Sequence, residues 1–386
     1  MRVMRAEPGR FSGITRSSVG TAWRAYDLQL TVYAALLATV GLVMAYTNSV
    51  EAGNAVLASG TVFTRALLWT AIAIVAFMVV TAFDYKWLKS LSWPIYLVNL
   101  GLLGMTLAIG DGVGGSARWV SIGPFTFQFS ELAKILMTIV LAAYLGNREG
   151  RLDSLTSILG AVLLMGPPWA LVMLQPDLGT SLVLAAIAAG MLFMSGASLR
   201  WLVAMALGVV AAVPIAWTYV LKDYQKERIA SFLSPCTDIR DSCWQVYQSQ
   251  TAVGSGGFTG VGLTNGAHLR GGFLPVQESD FVFAVLAQEL GFLGALLVFL
   301  IFAALIWRIL AAGWRSRDPF GQMFTAGLAS LLLFQVFVNV GMNIGIMPVA
   351  GIPLPFISHG GASLTSIAIG LGVVQSINIR QAKAEW

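Results

Sequence analysis

The sequence predicts an all-α integral membrane protein of about ten transmembrane helices, with one long extracytoplasmic loop between the seventh and the eighth. Three observations carry that expectation. Hydrophobic residues make up 57% of the chain and charged residues only 11%, against about 25% charged in a typical soluble domain. The apolar residues are gathered into runs close to the ~20 residues that cross a hydrocarbon core. The lysines and arginines fall between those runs with the one-sided bias of an inserted chain. A soluble protein this apolar would expose large adhesive patches.

Residues 1–26 carry Arg2, Arg5, Arg10, Arg16 and Arg24 with no apolar core. They read as a basic cytoplasmic tail rather than a cleavable signal peptide, so the first span acts as its own insertion signal. Spans are expected near 27–47, 65–83, 90–110, 130–146, 155–174, 178–196 and 200–221, and then near 281–308, 320–345 and 362–379. The membrane domain is thus 27–380, followed by a short cytoplasmic tail at 381–386. With a cytoplasmic N-terminus, most of the 23 lysines and arginines fall on the inner side, and an even number of spans returns the C-terminus to it. The net charge of +5 is therefore an orientation signal. No basic stripe with interleaved aromatics points to nucleic acid.

The loop 222–280 is polar, glycine-rich and dense in Trp, Tyr and Phe. That composition predicts a segment that packs on the outer membrane surface and lines a site. Its stretch AVGSGGFTGVGL lacks the G-x-x-x-x-G-K-[ST] spacing of a phosphate-cradling loop. Cys236 and Cys243 lie close together in this loop. A loop disulfide and two free thiols are both open readings, and zinc would need further ligands.

Ionisable residues in or beside spans are functional candidates. Glu131 and Lys134 are three apart and share a helix face, either as a structural ion pair or as site groups. Asp177 opens the sixth span and Asp280 the eighth. Each is a natural helix N-cap, and each also faces the outer surface, where a carboxylate can hold a cation, meet a sugar hydroxyl or act as a base. Glu289 lies deeper and is expected to hydrogen-bond inside the protein. The Pro- and Gly-broken stretch GIMPVAGIPLPFISHGGASL near the last span must border protein or a watery cavity. A lone histidine there, His359, is more often structural than catalytic.

Six segments in order carry a family resemblance: GSARWVSIGPFTFQFSELAKI at 115–135, QPDLGTS at 175–181, YQ with RIASFLSP at 224–235, QSQTAVGSGGFTGVGL at 248–263, FLPVQESDFVFAVLAQELG at 273–291, and NVGMNIGIMPVAGIPLPFISHGG at 339–361. Together they resemble the SEDS family of shape, elongation, division and sporulation proteins, over roughly residues 30–380. Asn265-Gly266 leans toward the RodA branch rather than FtsW. Three places depart from the family pattern. Gln128-Phe129-Ser130-Glu131 stands where Gln-Pro-Ser-Glu is usual, Val276 replaces the usual Glu, and His359 and Ala362 replace Tyr and Ser.

The resemblance implies a peptidoglycan glycosyltransferase of the bacterial cytoplasmic membrane. It would use lipid II, with a class B penicillin-binding protein as transpeptidase partner and membrane lipids around it. The family's essential catalytic residue matches Asp280. No cofactor is implied, because the undecaprenyl pyrophosphate donor is already activated; a divalent cation could assist. Arg65, Arg118, Lys134 and Arg228 are expected to face the pyrophosphate. Glu131, Asp177, Gln248, Ser249 and Ser358 complete the expected substrate-binding set. Two other readings stay open from sequence: a flippase or transporter of the lipid-linked precursor, and a scaffold that recruits the transpeptidase. Elongation and division remain alternatives as the process served.

Overall fold

The computed structural model describes residues 25–51, 58, 60–110, 118–122, 125–148, 155–233, 242–266 and 279–381. In order come α1 (Leu28–Glu51), α2 (Val62–Ala82), the short α3 (Tyr85–Ser90), α4 (Ser92–Ile109), an antiparallel hairpin β1 (Val120–Ile122) and β2 (Phe125–Phe127), α5 (Phe129–Gly146), α6 (Leu155–Leu174) and α7 (Leu178–Met194). Then follow α8 (Leu199–Ile215, prolonged by a π-turn over Ala216–Val220), α9 (Asp223–Leu233), α10 (Ser242–Ser255), α11 (Val282–Arg315), α12 (Pro319–Asn343) and α13 (Gly361–Gln381). Among the described residues, nine helices are long and apolar enough to cross a membrane, and α7 is a tenth apolar helix of 17 residues. Each coincides with an expected span to within a few residues, α11 excepted, which runs seven residues further. Residues 1–24, Cys236 and the Cys243 side chain lie outside the described residues.

Local chemistry sets several boundaries. Asp318 caps α12 by accepting the Phe320 N–H, and Pro319 occupies the first turn, where its missing N–H costs nothing. Thr61 caps α2 and Asp177 caps α7. The core is built on α5, α12 and α13. Helix α12 packs on α5, α7 and α11, while α13 packs on α2 and α5. Helix α8 buries none of its residues; apolar all round, it is stable only in hydrocarbon.

Ion pairs staple the end of the bundle where α1 starts and α11 stops. Arg308 Nη2 lies 2.5 Å and Arg315 Nη2 3.6 Å from the buried Asp27 Oδ2. Lys89 meets Asp318 at 3.3 Å and Arg380 meets Asp84 at 3.6 Å. Arg380 also donates to the Thr81 and Ala82 carbonyls that end α2, where a cation suits the helix dipole.

The long loop does more than lie on the surface. Helix α11 is broken at Gly291, whose φ of 68° and ψ of −170° are not helical. The break lies ~14 Å along the helix at about 1.5 Å per residue, a depth where an unpaired backbone group is costly. Segment 256–264 supplies the partners. Val261 N donates to Gln288 O at 3.0 Å and Gly262 N to Glu289 O at 3.1 Å. In the other direction, Phe292 N donates to Gly257 O at 3.0 Å and Leu293 N to Phe258 O at 3.1 Å. The two segments touch at glycines: a Cβ on Gly256 would collide with Ala287 O, one on Gly260 with Glu289 O, and one on Gly291 with Gly260 N. The glycine-rich stretch is thus a backbone splint for α11. Glu289 belongs to it, its Oε1 accepting the Thr264 N–H at 3.1 Å.

Candidate active site

At the opposite end from the ion pairs, the exit of α4, the starts of α5, α7 and α11, helix α9 and the α12–α13 connection converge. They enclose a polar cleft of about 200 Å³. Arg118, Glu131, Asp177, Arg228 and Asp280 all line it, joined by His359. Chain direction explains the convergence: each of these carboxylates opens or precedes a helix that runs away from this end.

Asp177 is fully committed. Its Oδ1 accepts the Thr180 N–H at 3.1 Å, as an N-cap does. Its Oδ2 accepts from Thr180 Oγ1 at 2.9 Å, Gln128 Nε2 at 3.0 Å and Ser130 Oγ at 3.3 Å. The residue caps α7 and ties it to α5. Arg118 holds the turn before that cap, donating Nε to Gln175 O at 3.2 Å and a second N–H to the Pro176 carbonyl. Glu131 pairs with Lys134 at 2.7 Å, both buried. Lys134 reaches Glu131 and does not itself line the cleft.

Asp280 is differently placed. The cap of α11 is Phe281, with no side-chain cap bond, so the capping role open to Asp280 from sequence is not the one it fills. Ser279 Oγ donates to its Oδ1 at 2.9 Å. Burial pushes its carboxyl above the ordinary carboxylate range. The Ser279 hydrogen bond, Arg228 and Arg118 act against that rise, and the Asp177 charge adds to it. Desolvation is the dominant cause. Its backbone carbonyl accepts from Asn339 Nδ2 and Asn343 Nδ2, each at 3.1 Å.

The remaining expected site residues separate. Ser358 Oγ donates to Ser279 O at 2.5 Å and accepts the Leu354 N–H at 2.7 Å; it clamps the turn beside Asp280. Arg65 is exposed on α2 and does not line the cleft. Its charge reaches His359, whose pKa is lowered first by burial and then by Arg65. Gln248 and Ser249 do not reach the cleft either. They are buried on α10, and Ser249 Oγ donates to Asn343 O at 2.9 Å and Oδ1 at 3.1 Å. In this structure Ser249 is turned inward onto α12 rather than toward the cleft. Asn339 and Asn343 were not singled out from sequence. Their signal was there: two amides four residues apart in the apolar run of α12, on one helix face. Among the described residues, no three His, Cys, Asp or Glu side chains gather into a metal site.

Comparison with known proteins matches this arrangement to one family. Residues 27–383 match the model of the FtsW, RodA and SpoVE proteins, described as "Cell cycle protein". The peptidoglycan glycosyltransferase MrdB of Escherichia coli K12 is 40% identical over 285 residues, 74% of this chain and 76% of that protein. Stage V sporulation protein E of Bacillus subtilis is 33% identical, over 91% of this chain and 96% of its own. A probable peptidoglycan glycosyltransferase FtsW of Halorhodospira halophila is 35% identical, over 94% and 93%. Among solved structures, a chain of a peptidoglycan synthase complex that coordinates polymerization and crosslinking superposes with a TM-score of 0.79 at 29% identity, covering 93% of this chain and 99% of that one. The rod shape determining protein RodA of Thermus thermophilus superposes at 0.68 with 25% identity, covering 92% and 97%. The chain belongs to the FtsW/RodA/SpoVE family.

Proposed function

We propose that the protein is an inverting peptidoglycan glycosyltransferase that polymerises lipid II into β-1,4-linked glycan at the outer face of the cytoplasmic membrane. The observation that carries the reading is Asp280, a desolvated carboxyl in a polar cleft that Arg118 and Arg228 also line. The acceptor sugar hydroxyl must lose a proton as it attacks the donor anomeric carbon. A carboxylate with a raised pKa is a stronger base for that proton than an ordinary aspartate. The departing pyrophosphate develops charge that the two arginines can stabilise. One displacement turns the α-linked donor into a β linkage. Asp177 is committed to hydrogen bonds and Glu131 to an ion pair, so a divalent cation would enter with the pyrophosphate.

The names of the relatives in E. coli and H. halophila support the activity. The peptidoglycan synthase complex supports a crosslinking partner of the class B penicillin-binding type. Purified protein given lipid II should form polymer. Translocation without polymer would favour a flippase, and neither would favour a scaffold.

The one-sided bias of lysine and arginine supports a cytoplasmic position for both termini and an outer position for the cleft. A cysteine at Thr237, in a protein whose Cys236 and Cys243 are replaced by serine, should react with an impermeant maleimide in intact cells. Labelling only after the cells are opened would reverse the topology.

A further inference from the structure

The groups that hold the start of α11 come from another helix. Phe281 caps α11 without a side-chain bond. Asn343, at the end of α12, takes over that task. Its Oδ1 accepts the Ala284 N–H at 3.2 Å, sharing it with Phe281 O at 3.0 Å, while its Nδ2 donates to the Asp280 carbonyl at 3.1 Å. The second Nδ2 proton goes to Asn339 O at 2.8 Å, and Ser249 Oγ on α10 donates to the Asn343 carbonyl and amide oxygens. Both donors and the acceptor of this amide are engaged, and the side chain is fully buried. A flip or rotation would break all of these bonds together. The first N–H groups of a helix ordinarily draw in the nearest carboxylate. Here that carboxylate is Asp280, and the position is already filled.

We infer that Asn343, locked by Ser249, is a positioning residue for proton transfer: it caps α11 from the neighbouring helix and so leaves the Asp280 carboxylate to the cleft. The inference rests on the reading of Asp280 as the base. It also gives α10 a task, since the Ser249 hydroxyl reaches this amide from it. The charged and titratable groups facing Asp280, namely Arg118, Glu131, Asp177, Arg228 and His359, are the same in every variant below.

The test is polymerisation of lipid II by purified Asn343→Ala, Ser249→Ala and Asp280→Asn, each followed across pH. Losing Asn343 lets Asp280 turn into its own helix. Turnover should fall roughly 10- to 100-fold, the scale of a small misplacement of a reacting group, with KM for lipid II unchanged. The acid limb of the rate–pH profile should move to lower pH, because a carboxylate that accepts helix N–H bonds is held ionised. Ser249→Ala should move both readouts the same way by less. Wild-type turnover in folded Asn343→Ala overturns the inference, and so does lost turnover with an unmoved acid limb. Should Asn343→Ala fail to accumulate, Ser249→Ala decides by the same two readouts. Asp280→Asn separates the claims. Activity surviving there sinks the base and this inference with it, whereas an inactive Asp280→Asn beside a normal Asn343→Ala sinks only the positioning role.

Discussion

Asp280→Asn should leave a folded protein that makes almost no polymer. Asparagine keeps the size of the side chain and can still accept the Ser279 hydroxyl, but it cannot take the acceptor proton. Loss of a general base typically costs about 100- to 10,000-fold in rate. The sign of the stability change separates this from a capping role. Burial raises the Asp280 pKa above its ordinary value. Between the unfolded and folded pKa the native state therefore holds more protons, and stability falls as pH rises through that window. Above it, the ionised carboxylate is a cost to the fold that asparagine does not carry. Asp280→Asn should melt at or above the wild-type temperature at neutral pH. A lost cap would instead lower stability by about 1 kcal/mol or less and keep turnover. In the wild-type enzyme, activity should fall with acidification through a pKa above the ordinary carboxylate range, since the base must be ionised. Near-normal polymer from well-folded Asp280→Asn would return the residue to a structural role.

The helices were legible because the bilayer imposes one length on them. Run length and polar punctuation alone place α6 at its observed ends. The break in α11 was not legible. Gly291 sits inside the expected eighth span, where a glycine reads as helix interior, and the segment that repairs the break lies about thirty residues upstream. The close approach of Gly256 and Gly260 to α11 explains glycine at those positions of the loop. The cleft was legible to the extent that topology decides it. Arg118, Glu131, Asp177, Arg228 and Asp280 all lie at helix starts or connections on one side of the membrane, so parity of the spans brings them to one end. Side-chain direction was not. Ser249 reads as a polar loop residue awaiting substrate, and a helical α10 turns it onto α12. The role of Asn343 was not legible, because its partners Asp280, Ala284 and Ser249 are distant in sequence.

Lys134→Ala should damage the protein more than the same change made together with Glu131→Ala. Both side chains are almost fully buried and meet at 2.7 Å. Removing one partner strands a charge where water cannot reach it, at a cost on the order of 3–5 kcal/mol, while removing both leaves no charge to solvate. Yield of folded protein in the membrane should therefore rank wild type, then the double variant, then Lys134→Ala. Activity adds a second axis. Glu131 lines the cleft and Lys134 stands behind it, so the lysine acts on substrate only through the carboxylate it orients. On that geometry the double variant regains folding and keeps a measurable part of its turnover. A lysine that contacts pyrophosphate directly forecasts otherwise: the double variant folds and stays inactive. Folded yield by fluorescence-detected gel filtration, set beside polymer formed per folded molecule, separates the two. Equal yields for Lys134→Ala and the double variant would show that the pair contributes nothing to the fold as a pair.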